Sequence, residues 1–407
     1  MPSPSLQRSP FRLTDFVHPV VAGLISVIVN YGGTFILVFQ AARVAGLSPE
    51  QTVSWVWSIS IGVGVTGLFL SWRYREPIIT AWSTPAAAFL VTALAATPYA
   101  EAVGAYMISA AAFVVLGLSG CFERVIRLIP PGIASGLLAG ILLQFGIGAF
   151  GGASLDPELV GLLVVVYLVL KRFAGRYAVV GILILGLAFL LIEGRVDLSG
   201  LQLQFAKPVF TMPVFSANAL LSVALPLFLI TLTGQYMSGM LVLRNDGFKT
   251  SANPIVAVTG LGSLVMAPFG SHAFNIAAIT AAIATGPEAH EDPSRRWIAG
   301  LAAGAFYVLV GIFGVTLAAV FMAFPATFIT TLAGLALLGT VGGSLAGAMA
   351  DPAGREAALI TFLASAANIN LLGIGGAFWG LVIGLVAHVV LTVRLPRRGT
   401  VGAKAAE

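Results

Sequence analysis

The stretch FGSHAFNIAAITAAIATG, Phe269 to Gly286, sets Ser271, His272 and Asn275 in an otherwise apolar run. Serine and asparagine both donate and accept hydrogen bonds, and imidazole titrates near neutral pH. A second stretch, REPIITAWSTPAAAFLVTALAAT, places Ser83 and Thr84 directly before Pro85. A third, FLITLTGQYMSGM, carries Thr231, Thr233, Gln235 and Tyr236. No set has the spacing of a catalytic constellation. There is no nucleophile elbow, HExxH or CxxC, and His18, His272, His290 and His388 are too scattered to hold a metal. What remains is neutral hydrogen bonding plus one imidazole, which is chemistry for binding. The chain is expected to be no enzyme and to use no cofactor and no metal.

Those residues must be positioned by a chain that is 58% hydrophobic and 9% charged, with a mean hydropathy of +0.99. A soluble domain carries about 25% charged residues. Too little polar surface exists here to cover a globule, so the class is an all-α polytopic membrane protein. The first apolar run, Val17–Gln40, is too long for the core of a signal peptide and is read as a span that stays. Fourteen segments are expected, beginning near Val17, Thr52, Thr84, Ala102, Pro131, Leu159, Ala178, Ala219, Pro254, His272, Trp297, Pro325, Arg355 and Ile374. With that count, 18 Lys and Arg fall on the side of both termini and only Arg43, Arg195 and Lys207 on the other. Both termini are therefore expected in the cytoplasm. The net charge of +5 reflects this topology and contact with the lipid bilayer, with no role for nucleic acid.

The chain also repeats itself. Gly117, Gly120, Pro131 and Gly140 match Gly311, Gly314, Pro325 and Gly334 at a constant offset of 194. A second block aligns Ser83–Thr97 with Ser271–Thr285. Seven segments per half is an odd number, which turns one half over and gives a 7+7 inverted repeat. Segments 3 and 10 are too short to span. Thr84–Thr97 extends ~21 Å at 1.5 Å per residue, against a hydrocarbon core of ~30 Å. They are read as two discontinuous half-helices, capped by Ser83 or Thr84 and by Ser271, whose N-termini converge from opposite sides. Facing N-termini, each with free N–H groups and partial positive charge, make an anion site.

All acidic residues fall in connections or at helix ends, and no segment centre holds Lys or Arg. This argues against a cation pathway and suits a substrate that carries its own negative charge. Gln235 either contacts that substrate or bonds a neighbouring helix. Asn30–Phe35 offers an amide, a phenol and a ring at mid-depth, while Trp82, Phe89 and Phe274 either clamp an aromatic substrate or simply pack.

SHAFNIAAITAAIATG, LPLFLITLTGQYMSGMLVLRNDG and REPIITAWSTPAAAFL together resemble the BenE-type benzoate/proton symporters, over essentially the whole chain. More distantly the plan resembles the uracil/xanthine permeases and the sulfate-transporter superfamily. The resemblance implies import of benzoate, a small aromatic carboxylate, with protons across the inner membrane by alternating access. It leaves a homodimer open. It also implies cytoplasmic tails at 1–16 and 395–407, core-domain segments at 17–122 and 215–322, and gate-domain segments at 123–214 and 323–394. Nucleobase carriers of that fold use acids on segments 8 and 10; here Gln235 stands in place of the first, and His272–Asn275 supplies none for the second. On this reading the carboxylate meets Ser83, Thr84, Ser271 and His272, with Asn275 and Gln235 orienting it. The ring lies against Tyr31, Trp82 or Phe274, and His272 carries the proton. Carriage of another monocarboxylate or an inorganic anion, and a passive anion channel, are the alternatives.

Overall fold

Small local devices start the helices of this chain. Ser48 accepts a hydrogen bond from the Gln51 N–H at 3.2 Å while its own N–H donates to Gln51 Oε1 at 3.0 Å, with Pro49 at the first helical position. Ser216 and Ser251 cap two later helices in the same way, each accepting a backbone N–H. A computed structural model of the chain describes residues 14–173, 178–198, 203–278, 280–287, 289–367, 369, 371 and 376–392. Most of the expected N-terminal tail, the C-terminal tail and the expected start of the last segment at Ile374 lie outside these residues.

The first half runs α1 (Thr14–Thr34), α2 (Ile36–Val44), α3 (Pro49–Tyr74), β1 (Thr80–Trp82), α4 (Thr84–Ala93), α5 (Tyr99–Ser119), α6 (Phe122–Leu128), α7 (Pro131–Gly151), α8 (Pro157–Phe173) and α9 (Ala178–Ile192). The second begins with a helix over 217–245 made of α10 (Ala217–Ala219), α11 (Leu225–Thr231) and α12 (Met237–Asn245), joined by π turns at Leu220–Ala224 and Leu232–Tyr236. It continues with α13 (Ala252–Met266), β2 (Phe274–Ile276), α14 (Ala281–Thr285), α15 (Trp297–Ile312), α16 (Gly314–Met322), α17 (Ala326–Met349), α18 (Arg355–Ala366) and α19 (Gly376–Thr392).

Among the described residues, eight helices are long and apolar enough to cross a membrane, which makes this a polytopic, mostly helical membrane protein. Shorter elements among the described residues include α4, α8, α9, α14, α18 and α19. The packing places long helices of one half against those of the other. On α3, a Cβ added at Gly64 would fall 2.7 Å from the Gly304 carbonyl oxygen of α15. On α5, one at Gly117 would fall 2.4 Å from the Ala257 nitrogen of α13. Only glycine lets these backbones touch. Residues 203–214 run extended along the ends of other helices. Ala206 N–H donates to Ile312 at 2.9 Å, Thr211 N–H to Pro268 at 2.7 Å and Val214 N–H to Ala100 at 2.9 Å.

Candidate substrate site

Two strands cross inside the helical bundle. β1 and β2 pair antiparallel, with Thr80 opposite Ile276, Ala81 opposite Asn275 and Trp82 opposite Phe274. The residue 194 positions beyond each β1 residue lies in β2, so the ladder is symmetric about the Ala81–Asn275 pair. The expected helix from His272 is not formed. Gly270, at φ 108°, turns the chain out of a 3-10 turn at Ala267–Phe269, and Ser271–Ala277 runs extended. Its backbone groups are satisfied across the crossing: Ser83 N–H donates to Ala273 at 2.9 Å, Ala277 N–H to Ile79 at 2.8 Å and Phe274 N–H to the Ser263 hydroxyl at 3.1 Å. A chain inside a bilayer needs such partners, and here the first half supplies them better than a helix turn would. Ser271 therefore caps nothing, and its buried hydroxyl closes no hydrogen bond.

The first tip is built as its sequence predicts. Ser83 accepts the Ala86 N–H at 3.4 Å, and its oxygen also accepts from the Thr231 hydroxyl at 3.1 Å. Pro85 has no N–H and the Thr84 hydroxyl donates to Thr34, so the Thr84 N–H is the donor this tip leaves to a ligand. Thr34 sits beside it: its Oγ1 accepts from Trp82 Nε1 at 3.1 Å and from the Thr84 hydroxyl at 3.3 Å, and itself donates to the Asn30 carbonyl at 3.2 Å. At the second tip, Thr280 precedes α14 without a side-chain cap.

A cavity of about 530 Å³ opens where the tips meet, within the range of small-molecule pockets. Its walls are Asn30 and Thr34 of α1, Ala81, Trp82, Thr84 and Pro85 of the first tip, Ala277, Ala278 and Thr280 of the second tip, and Gly234, Gln235 and Ser238 of the long helix. Tyr167 and Lys171 of α8 and Ala336 and Leu337 of α17 face them. The π turn Leu232–Tyr236 carries Gln235, whose half-buried amide makes no hydrogen bond to other described residues. Gly234 lets this turn lie against Pro85, since a Cβ there would sit 3.3 Å from the proline ring. No Asp or Glu lines the cavity, and Lys171 is the one charged group among the described residues that does.

Of the residues singled out from sequence, Asn30, Trp82, Thr84 and Gln235 line this cavity. Ser83 holds the tip in shape from behind. Tyr31 stands behind Trp82, ring centroids 5.0 Å apart, with its hydroxyl donating to Ser60 at 2.6 Å. Phe274 does not clamp a ligand: its ring fills a notch where Cβ atoms at Gly62 and Gly262 would lie 2.6 Å and 2.8 Å away. Asn275 is buried at the centre of the ladder with neither amide atom paired. His272 is buried against Trp55, which itself lies beside Tyr99 and Tyr106, and it does not line the cavity. Trp55 Nε1 donates to His272 Nδ1 at 3.3 Å. Indole nitrogen is a donor only, so Nδ1 is unprotonated here and the imidazole is neutral. Its Nε2 is buried without a hydrogen-bond partner.

Sequence reasoning missed Thr34, Tyr167, Lys171, Ser238 and Thr280. The spacing of Tyr167 and Lys171, four residues apart on one helix face, was the available signal. Lys171 was absorbed into the topological charge count, which explains a lysine at a helix end without asking where it points.

The family model for BenE, benzoate membrane transport protein, matches residues 15–390. The chain is 42% identical over 371 residues to the benzoate membrane transport protein of Acinetobacter baylyi, covering 91% of this chain and 94% of that one. It is likewise 42% identical over 385 residues to the inner membrane protein YdcO of Escherichia coli, covering 94% and 98%. The solved structure of SLC26A9 matches with a TM-score of 0.66 and 13% identity, over 94% of this chain and 66% of that longer one, a likeness of fold alone.

Proposed function

The chain belongs to the benzoate membrane transport protein family, and on that premise we propose that it imports benzoate or a similar aromatic carboxylate with protons across the cytoplasmic membrane. The observation that carries this reading is an acid-free cavity at the meeting of two broken elements, with the Gln235 amide unpaired in its wall. On binding, the carboxylate accepts from the Thr84 N–H, from the Gln235 amide and from the Thr84 hydroxyl, which turns to it from Thr34, in a site of low dielectric where each bond is strong. The ring lies between Trp82 and Tyr167, against the alanines of the second tip.

Movement follows from the plan of two inverted sevens. The paired strands, with their offset of 194, support that plan, as do Pro131 and Pro325 at the starts of α7 and α17. Core segments (17–122 and 215–322) carry both tips, and gate segments (123–214 and 323–394) supply α8 and α17 opposite them. The cavity reaches the end of α8 that bears Lys171, the side expected to be cytoplasmic from the distribution of basic residues, and on this reading the state is cytoplasm-facing. Displacing core against gate exposes the site to the other side.

Proton coupling falls to His272, the titratable side chain beside the crossing. A second proton goes on Nδ1, so coupling requires the Trp55 hydrogen bond to open as the core moves. The test is uptake of radiolabelled benzoate by proteoliposomes with and without an imposed pH gradient, in the wild-type protein and in His272→Gln. Accumulation driven by outside acid, lost in His272→Gln while exchange persists, is expected. Equilibration without accumulation means a channel, competition by sulfate but not salicylate means an inorganic-anion carrier, and either result ends the proposal.

A further inference from the structure

We propose that Lys171 is a binding residue for the substrate carboxylate, supplied by the gate in the cytoplasm-facing state and withdrawn when the gate moves away. The inference deepens the anion-carrier reading and rests on it. Several other described basic side chains are already engaged. Arg195 is paired with Asp156, Arg244 with Glu123 and Arg295 with Asp292. Arg75 lies over the Trp297 ring, and Arg296 is held by the carbonyls of Thr285 and His290. Lys171 has no such partner among the described residues, and it lines the cavity.

A lysine at a helix end ordinarily turns its ammonium to the headgroups. Arg172 is the internal comparison: it is the next residue, equally exposed, at the same depth, yet outside the cavity. Position on the helix separates the two. Tyr167, one turn before Lys171, is buried in the same wall and directs that face of α8 toward the tips. A single positive charge over low-dielectric walls with no carboxylate among them focuses its field into the cavity and raises the local concentration of anions. The neutral donors around Thr84 and Gln235 recognise a carboxylate by geometry; Lys171 adds recognition of its charge. Because α8 stands on the gate side, the charge is present in one state and absent from the other, so the core can carry the anion away from it.

Equilibrium binding to the purified full chain in detergent, at low and high salt, tests this with benzoate and its neutral analogue benzamide. Lys171→Gln is expected to weaken benzoate binding about tenfold at low salt, flatten its salt dependence and leave benzamide unchanged. Lys171→Arg should restore benzoate affinity, and Arg172→Gln should alter neither ligand. Benzoate affinity and salt dependence unchanged in Lys171→Gln, or lost equally in Arg172→Gln, overturn the inference while leaving the carrier reading in place. Failure of the unaltered chain to bind benzoate overturns both.

Discussion

The two tips of the crossing occupy the same place in the two halves and do different work. At the first, β1 leads directly into a capped helix, and Thr84, Trp82 and Pro85 all reach the cavity. At the second, β2 is followed by alanines and a short helix without a side-chain cap; Ser271, His272 and Asn275 are buried away from the cavity, and Thr280 is the polar residue of this tip that lines it. The backbone repeats while the chemistry does not. On the proposed reading that asymmetry is useful: the first tip would grip the carboxylate, and the alanines of the second would leave room for a flat ring.

The largest effect expected from breaking the comparison comes from the second strand's anchor. Phe274 is buried against the glycines of α3 and α13, whereas its counterpart Thr80 is held by one hydrogen bond to Val63 at 2.7 Å. Phe274→Ala should cost about 3–5 kcal/mol, as for other buried aromatic truncations. It should show as a large fall in thermal stability in detergent. A drop no larger than that of Thr80→Val would mean the strand is held by its ladder and not by the ring. Next in size is the ligand side. Thr84→Val should raise the KM for benzoate about tenfold, the loss of one hydrogen bond to a charged group. The matching change at the second tip, Ala278→Ser, should leave KM within about twofold, in the range of a change that touches no essential contact. Equal effects would show that both tips bind the carboxylate.

The class of the molecule was legible because composition alone forbids a soluble fold, and the family because its motifs run through the whole chain. Gln235 was legible too, as a polar side chain interrupting an apolar helix. The second tip was misread for a definable reason. Alanine-rich text matches itself at many registers, and aligning Ser83 with Ser271 uses an offset of 188 where the paired strands use 194. Six residues of slip turned a strand into a helix and moved Ser271, His272 and Asn275 from behind the site into it. Helical periodicity could not reveal the error, because a three-residue strand takes its stability from a partner far away in sequence. Glycine and proline kept the correct offset, since Pro131 and Pro325 act locally on the helix starts they occupy.

The smallest expected effect separates the two registers most cleanly. Under an offset of 188, Ser83 and Ser271 are equivalent caps and alanine should cost the same at each. In the structure they differ. The Ser83 oxygen accepts from the Ala86 N–H and from the Thr231 hydroxyl, so Ser83→Ala removes a cap and strands a buried donor, for about 1–2 kcal/mol. The Ser271 hydroxyl is buried with no partner, so Ser271→Ala removes an unsatisfied group and should change stability by less than about 0.5 kcal/mol, or raise it slightly. Unfolding midpoints of the two variants in one detergent give the answer. A loss in Ser271→Ala as large as that in Ser83→Ala would restore a capped helix at His272, bring the imidazole back to the cavity edge, and remove the asymmetry from which the site is argued.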